Sequence, residues 1–359
     1  MSANHSTSSR KRIAVIPGDG IGGEVIRQAV KVLQSAAMNG REFVFTDFDW
    51  GAERFLRDGT TLPADAPEML ARDFDAILLG AMGDPRIPSN RHAAEILLGL
   101  RTRLDLFVNA RPCVLFDRRL TPLKDRGESD IRFIIFRENT EGLYAGMGGF
   151  FKKGTPEEIA TQEDINTRKG VERIIRYAFD YARARGLRRL CMSDKSNALT
   201  FGHDLWQRVF RELRGQYPEI GAQHLYIDNL VLQMVRDPSQ FEVIVTCNLF
   251  GDIASDLGAA LIGGLGLAPS GNIHPGKVSL FEPVHGSAPA LAGRNVANPM
   301  GAILAGAMMC EHLGWTEEAR VIEQGVRAAL RDAKTTPDLG GTMGTAELGD
   351  LIATSAIKS

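Results

Sequence analysis

Short apolar runs rich in β-branched residues alternate along this chain with longer amphipathic stretches. RIAVIP at 12–17 is followed by EVIRQAVKVLQSA at 24–36, which has helical periodicity. The same alternation returns with the runs DAILLGA, IRFIIF, RRLCMS and FEVIVTC. Strands that alternate with helices are typical of a mostly parallel sheet covered by helices, so the chain is predicted to be an α/β protein. GFFKKG at 149–154 breaks the pattern and is predicted to be an exposed arm.

The charge balance excludes several classes of partner. Lysine plus arginine (42) nearly equals aspartate plus glutamate (44), which gives a formal net charge of -2. Such a chain has no global field that attracts nucleic acid or an anionic membrane. No apolar run approaches the roughly 20 residues of a membrane span. The four cysteines lack CxxC spacing, which favours a reducing, cytoplasmic location.

A glycine-rich turn follows the first predicted strand. Gly18, Gly20 and Gly23 satisfy GxGxxG, and the acidic Asp47 and Asp49 lie downstream on the next strand-like segment. This spacing is typical of a Rossmann dinucleotide site. The same glycines also suit a plain strand-to-helix turn, and the pattern alone leaves both interpretations open.

Two aspartates stand four residues apart in GDIASD. This spacing places Asp252 and Asp256 on one face of a helix that follows the strand FEVIVTC. Two carboxylates in that position can bind Mg²⁺ or Mn²⁺, with water and substrate completing the coordination. The alternative is that Asp252 caps the helix and Asp256 is merely solvated.

Seven segments, in order and across about four-fifths of the chain, together resemble the β-decarboxylating dehydrogenases. That family includes isopropylmalate, isocitrate, homoisocitrate and tartrate dehydrogenases. The segments are PGDGIGGE (17–24), LRTRLDLFVNARP (100–112), RENTEGLYAG (137–146), DKSN (194–197), YIDN (226–229), NLFGDIASD (248–256) and FEPVHGSAPALAGRNVANP (281–299).

The resemblance implies an isopropylmalate/isocitrate dehydrogenase-like two-domain fold, not a conventional Rossmann fold. Residues 1–106 and 260–359 would form a large cofactor-binding domain, and 107–259 a small domain with a dimerisation arm. A homodimer with shared active sites is implied. In this family the glycine turn does not hold the pyrophosphate. The adenosine is held instead by the residues His285, Gly286, Ser287, Ala288, Pro289, Ala290 and Asn298.

The resemblance also assigns the reacting residues. Arg101, Arg111 and Arg137 match the arginines that bind the carboxylates of a 2-hydroxy dicarboxylate substrate. Tyr144 and Lys195 match the general acid/base pair, with Lys195 coming from the neighbouring subunit.

The implied metal ligands are Asp252, Asp256 and, from the other chain, Asp228. The expected reaction is oxidation of the C2 hydroxyl group followed by loss of CO₂, which Mg²⁺ or Mn²⁺ assists.

Residues before the first arginine indicate the substrate. Leu97 and Leu98 would present aliphatic surface, which favours the isopropyl group of 3-isopropylmalate, and hence leucine biosynthesis, over an additional carboxylate. The glutamate usual in isopropylmalate enzymes falls on Ala94, and Glu95 follows it. Ala198, smaller than the usual valine, predicts a roomier pocket. RENTEG keeps homoisocitrate, isocitrate, tartrate and D-malate open as alternatives.

The residue after HGSAP bears on the cofactor. Ala290 replaces the acidic residue usual in NAD enzymes, and the lysine and tyrosine of NADP enzymes are also missing, although Arg294 lies nearby. NAD is favoured, with NADP as the alternative.

Two rivals of other classes are a non-catalytic regulatory subunit and a metal-independent Rossmann reductase. The first is disfavoured because every expected catalytic residue is present.

Overall fold

The computed structural model describes residues 9–357, in which the chain forms two compact units. The first unit comprises the described residues up to 106, residues 114–128 and the described residues from 259 onward. The second comprises residues 107–113 and 129–258. Residues 1–8 and 358–359, which belong to the predicted large domain, lie outside the described residues.

Strands and helices follow one another in the predicted α/β manner. The strands are β1 Arg10–Ile16, β2 Glu42–Asp47, β3 Ala76–Leu79, β4 Val108–Val114, β5 Arg132–Glu138, β6 Gly148–Phe151, β7 Ile159–Gln162, β8 Arg189–Asp194, β9 Gly221–Tyr226, β10 Val243–Thr246, β11 Pro269–Ile273 and β12 Ser279–Pro283. The helices are α1 Gly22–Ala36, α2 Ala52–Asp58, α3 Ala66–Asp73, α4 Arg91–Arg103, α5 Arg168–Ala184, α6 Gly202–Arg214, α7 Ile227–Arg236, α8 Asn248–Leu261, α9 Met300–His312, α10 Thr316–Arg331 and α11 Thr345–Ile357.

The strands of the first unit lie in the order β2, β1, β3, β12, β11. They run parallel except for β11, which is antiparallel to β12. Helix α9 packs against β11 and β12, and nearly all of its residues are buried. This explains the apolar sequence MGAILAGAMMCEH, since a helix that is covered on every side needs no polar face.

The glycine turn of the first unit is closed by protein backbone. Gly18 and Gly20 adopt φ angles of 74° and 55°, and a Cβ at either position would lie 2.1 Å from a carbonyl oxygen, of Ala81 and Ser287 respectively. The Ile21 N–H donates to the Ser287 carbonyl at 2.8 Å. An amide that a dinucleotide pyrophosphate would need is therefore already bonded, which favours the structural interpretation of GxGxxG.

The second unit places four chain segments along one edge of its sheet. Its strands lie in the order β4, β5, β10, β8, β9, and β5, β10, β8 and β9 run parallel. Parallel strands present their carboxyl ends at the same edge, where α/β proteins place their reacting groups. The segments after these four strands therefore meet at that edge.

The predicted arm is a hairpin. β6 and β7 pair in antiparallel fashion, and every residue of both strands is exposed, including Phe150 and Phe151 at 62% each.

None of the helices in the described part of the chain combines the length and apolar character needed to cross a membrane.

Candidate active site

Arg137 lies at the carboxyl end of β5 and is held in place by an asparagine. Oδ1 of Asn248, the first residue of α8, accepts hydrogen bonds from Nε (3.0 Å) and Nη2 (2.7 Å) of Arg137. Nδ2 of Asn248 donates to the Glu141 carbonyl at 2.9 Å. Because Arg137 is 1% exposed, these bonds fix a buried guanidinium whose remaining face is directed at Asp252, to which Nη1 donates.

Tyr144 joins this cluster through the same aspartate. Its hydroxyl donates to Oδ2 of Asp252 at 2.9 Å, and its ring centroid lies 5.0 Å from the Arg137 guanidinium carbon. Burial raises the pKa of Tyr144 above its ordinary value, and the Asp252 carboxylate raises it further. The phenol is therefore protonated at neutral pH and can act as a proton donor.

Arg111, on β4, approaches the same carboxylates. Its Nη1 donates to Oγ of Ser255 at 2.7 Å and lies 3.2 Å from Oδ1 of Asp252 and 3.8 Å from Oδ1 of Asp256. Its Nε is buried and finds no hydrogen-bond partner among the described residues. A buried donor without an acceptor fits a site that receives an anionic ligand.

Asp252 and Asp256 lie one helical turn apart on α8, as the spacing predicted, although the helix begins four residues before Asp252. Partial burial raises the pKa of Asp256, and the neighbouring Asp252 adds to this shift while Arg111 opposes it. Two carboxylates with such repulsion suit a hard divalent cation. No group of three metal-binding side chains forms within residues 9–357, so these two would need a ligand from elsewhere.

Lys195 and Asp228 form a separate pair at the same sheet edge. They follow the neighbouring strands β8 and β9, in which Asp194 is in register with Tyr226. The Lys195 ammonium donates to Oδ1 of Asp228 at 2.5 Å, which lowers the pKa of Asp228. The Asp228 side chain remains 65% exposed. Ala198 is exposed in the turn that follows Lys195.

In the first unit, Arg101 is buried near the end of α4 and donates from Nη2 to Oε1 of Glu282 at 3.1 Å. Leu97 packs against the core cluster of this unit, and Leu98 is half-buried. Glu95 accepts hydrogen bonds from Arg91 and from Thr61. The glutamate carboxylate is thus already bonded to neighbours within its own unit.

The 285–290 segment and Asn298 also belong to the first unit. Nδ1 of His285 lies 3.0 Å from the Gly286 carbonyl, and since a carbonyl only accepts, Nδ1 carries the proton. Burial lowers the pKa of His285, so the ring is neutral. Its buried Nε2 has no partner among the described residues and is available as an acceptor. Asn298 bridges the Met300 N–H and Asp338.

The side chain after HGSAP leaves this segment open. Ala290 is exposed and carries no charge, and its carbonyl accepts a long 3.5 Å hydrogen bond from Nη1 of Arg294. The Asp338 carboxylate opposes the effect of burial on His285, because its negative charge raises the pKa of the imidazole.

Sequence reasoning missed three residues that hold the arginines: Asn248, Ser255 and Glu282. All three stand inside the quoted segments NLFGDIASD and FEPVHGSAPALAGRNVANP. The sequence signal that could have identified them is a polar side chain next to apolar residues. In the structure the three residues are buried, with exposures of 2%, 3% and 8% respectively. Buried polar side chains need partners, and here the partners are the three arginines.

Comparisons with known proteins agree with this arrangement. Residues 12–352 match the family described as isocitrate/isopropylmalate dehydrogenase. The 3-isopropylmalate dehydrogenase of Thermobifida fusca is 47% identical over 345 residues, covering 95% of this chain and 96% of that protein. The enzyme of the same name from Corynebacterium kroppenstedtii is 48% identical, covering 96% and 99%.

Solved structures confirm the predicted fold class. The isocitrate dehydrogenase of Methylococcus capsulatus superposes with a TM-score of 0.88 at 38% identity and covers 97% of this chain and 99% of that one. The TT0538 protein of Thermus thermophilus gives a TM-score of 0.86 at 36% identity, covering 98% and 69%. The chain therefore belongs to the isocitrate/isopropylmalate dehydrogenase family of decarboxylating oxidoreductases.

Proposed function

We propose that this enzyme oxidises 3-isopropylmalate and decarboxylates the product to 2-oxo-4-methylpentanoate, with reduction of NAD, in leucine biosynthesis. The observation that carries the proposal is the hydrogen-bonded cluster of the buried Arg137 with the partly exposed Tyr144 and Asp252, at the carboxyl ends of the parallel strands of the second unit. The names of the relatives that are 47–48% identical support the choice of substrate.

The arginines would bind the substrate carboxylates. Arg111 offers a buried Nε without an acceptor among the described residues, and Arg137 is held rigid by Asn248. Arg101, held by Glu282, would bind in the same manner. Hydrogen bonds to neutral or acidic neighbours already fix these planar guanidinium groups. The arginine side chains therefore lose little further conformational entropy when a carboxylate binds.

Two residues would move protons. Lys195 of a second copy takes the proton of the C2 hydroxyl group during oxidation. After CO₂ leaves, Tyr144 returns a proton to C3, for which its raised pKa keeps it in the protonated form. Asp252 accepts the hydrogen bond of Tyr144 and so orients the phenol.

The family is metal-dependent and uses NAD. Asp252, Asp256 and the partner subunit's Asp228 would hold Mg²⁺ or Mn²⁺, and the cation would supply Lewis-acid stabilisation of the negative charge that develops on oxygen when CO₂ leaves. The oxygen-only set and the raised pKa of Asp256 fit such a cation. Lys195 and Asp228 form a hydrogen-bonded pair at the carboxyl ends of β8 and β9. Because they are paired, one chain could supply both side chains together to the active site of its partner.

The 285–290 segment with Asn298 would bind the cofactor adenosine. The free acceptor Nε2 of His285 suits a hydroxyl or amino group of the nucleoside. NAD is proposed over NADP because Ala290 and Leu291 supply no positive charge for a 2′-phosphate. Arg294 is the residue through which NADP could still be used.

The predicted domain of residues 1–106 and 260–359 is thus proposed to bind the cofactor, and that of residues 107–259 to carry the dimerisation arm, although residues 114–128 group with the first compact unit. A homodimer is required because Lys195 and Asp228 act on a neighbouring subunit. The four cysteines are buried free thiols, which supports the proposal of a cytoplasmic enzyme.

Isocitrate is the second candidate substrate, since one of the matching structures bears that name. Leu98 argues against it. The third carboxylate of isocitrate would lose its hydration against an aliphatic side chain, whereas an isopropyl group gains about 0.8 kcal/mol for each buried methylene.

A substrate panel tests the proposal. 3-Isopropylmalate, isocitrate, homoisocitrate, tartrate and D-malate would each be assayed with NAD and NADP, with and without EDTA. We expect the highest kcat/KM with 3-isopropylmalate and NAD, and loss of turnover in EDTA that Mn²⁺ restores. Preference for isocitrate would refute the substrate. Turnover in EDTA would favour the metal-independent reductase, and no turnover with any substrate would favour the regulatory subunit.

A further inference from the structure

We propose that His203 is a positioning residue for Lys195. The backbone N–H of Lys195 donates to Nδ1 of His203 at 2.8 Å. His203 lies in the first turn of α6 and is 0% exposed. The buried imidazole therefore accepts a hydrogen bond from the peptide that carries the Lys195 side chain and fixes the position of that peptide.

The hydrogen bond fixes the tautomer of this histidine. Since Nδ1 accepts from a backbone N–H, the ring proton is on Nε2. Nε2 is buried and lies 3.5 Å from Oδ2 of Asp164, which is an ion-pair distance and too long for a good hydrogen bond. The nearby Asp164 carboxylate favours the ring orientation in which the Nε2 proton faces it and Nδ1 faces Lys195.

Asp164 is itself held by a short network. Its Oδ2 accepts from Nδ2 of Asn166 at 2.9 Å, and Oδ1 of Asn166 accepts from Nε1 of the buried Trp206 at 2.8 Å. The residue between them, Ile165, accepts the Gly142 N–H at 2.7 Å, two residues before Tyr144. One three-residue segment thus supports both the imidazole under Lys195 and the turn that carries Tyr144.

The turn after β8 depends on this support. The Lys195 carbonyl accepts from the N–H groups of Ala198 and Leu199, which closes the turn on its carbonyl side. On the amide side the partner of the Lys195 peptide is His203. Without that acceptor the peptide can rotate, and a displacement of about 1 Å at a reacting group costs roughly 100-fold in rate.

The inference rests on the proposed role of Lys195, and three variants at one position test it. In His203→Asn, the side-chain oxygen can take the place of Nδ1. His203→Gln can reach Asp164 but does not place an acceptor at the Lys195 amide. We expect kcat to fall about 10- to 100-fold in His203→Ala and His203→Gln, and to recover in His203→Asn.

Other readings of the same assay exclude a general loss of structure. KM for the substrate should change less than about threefold, because the partners of His203 described above are the Lys195 amide and Asp164, not the arginines proposed to bind the substrate. Trp206→Phe removes the hydrogen bond to Asn166 but leaves the acceptor of the Lys195 amide in place, and should lower kcat less than His203→Ala does. Melting temperatures of all four variants would be compared.

The inference is overturned if the Asn and Gln variants have the same kcat, since a merely structural role does not distinguish them. This comparison remains decisive even if His203→Ala fails to fold. The Lys195→Ala variant distinguishes the proposed role of Lys195 from the positioning role of His203. If Lys195→Ala is fully active, the proposed mechanism is wrong. If Lys195→Ala is inactive while all His203 variants keep kcat, only the positioning role is wrong.

Discussion

Asp252 is the residue on which the candidate site converges. One oxygen accepts from Arg137 and lies 3.2 Å from Arg111, and the other accepts from Tyr144. A carboxylate with this many charged and hydrogen-bonding neighbours is held in one orientation. The same donors are those proposed to bind substrate and return the proton, so Asp252 sets the orientation of three reacting groups at once.

The cofactor prediction belongs to a single side chain. Ala290→Asp should place a carboxylate beside the ribose 2′ position, where it accepts from the hydroxyl of NAD and repels the phosphate of NADP. We expect the ratio of kcat/KM for NAD to that for NADP to rise at least about tenfold, which corresponds to about 1.4 kcal/mol. Ala292→Asp serves as a matched control in the same exposed segment. An unchanged ratio would place the adenosine elsewhere.

Asp194 gives a prediction of pH dependence. Burial alone would raise its pKa, but hydrogen bonds from His224, the Ser196 N–H and Gln207 together lower it. Because the folded pKa lies below the unfolded value, the carboxylate stabilises the fold above the unfolded pKa. That contribution is lost as the pH falls through the folded pKa.

Asp194→Asn should therefore lower the free energy of unfolding by about 1–3 kcal/mol at pH 7. The difference from the wild type should shrink as the pH falls below about 4. Urea unfolding at several pH values measures this. A difference that does not depend on pH would mean that the hydrogen bonds, and not the charge, carry the stabilisation.

At the scale of elements, the two leucines of α4 that were both predicted to contact the substrate are proposed to differ in role. Both are half-buried, but Leu97 packs on the core cluster of its unit, whereas Leu98 stands one helical turn before Arg101 and is proposed to contact the substrate. Truncating Leu98 to alanine should remove about 2 kcal/mol from binding the branched substrate, or about thirtyfold in kcat/KM. D-malate lacks the C3 substituent and should lose much less.

Leu97→Ala is the matched control for that prediction. It should lower the free energy of unfolding by about 2–3 kcal/mol and leave the ratio of 3-isopropylmalate to D-malate rates near that of the wild type. If Leu98→Ala leaves this ratio unaltered, the aliphatic-pocket prediction is wrong, whereas membership of the decarboxylating dehydrogenase family is unaffected.

How far elements could be predicted from sequence depended on local composition. The run FEVIVTC contains β10, as its β-branched residues indicated. β11 was not predicted, because PSGNI begins with proline and contains glycine, both poor strand formers. It is nevertheless fully buried beside β12, so tertiary packing overrides its weak local preference.

The site shows the same limit. The motifs predict which arginines and aspartates carry the chemistry, because those residues occur at the matching positions of segments that resemble one family, and these roles stay predictions. They could not indicate that Asn248 holds Arg137 or that His203 lies under Lys195. Asn248 follows Arg137 by 111 residues and His203 follows Lys195 by 8. Only the folded geometry decides which donor meets which acceptor over such separations.

At the scale of the whole molecule, the proposed reacting groups of one chain fall into two sets. Arg137, Tyr144 and Asp252 are joined by hydrogen bonds at β5 and α8, and Lys195 pairs instead with Asp228 beyond β8 and β9. The second set has its own internal partner and an exposed carboxylate. This separation is what a dimer with shared sites requires, since each chain then supplies one set to each of two sites.

Mixed dimers test that arrangement. Tyr144→Phe and Lys195→Ala homodimers should each be nearly inactive, because every site contains one defect. After unfolding and refolding together in equal amounts, half of the dimers should be mixed, and each mixed dimer contains one site with no defect. Activity should then recover to about a quarter of the wild-type value. As a control, Tyr144→Phe mixed with the Tyr144→Phe, Lys195→Ala double variant forms no intact site and should stay inactive. If differently tagged chains co-purify but no activity returns, Lys195 serves the site of its own subunit and the shared-site proposal is wrong.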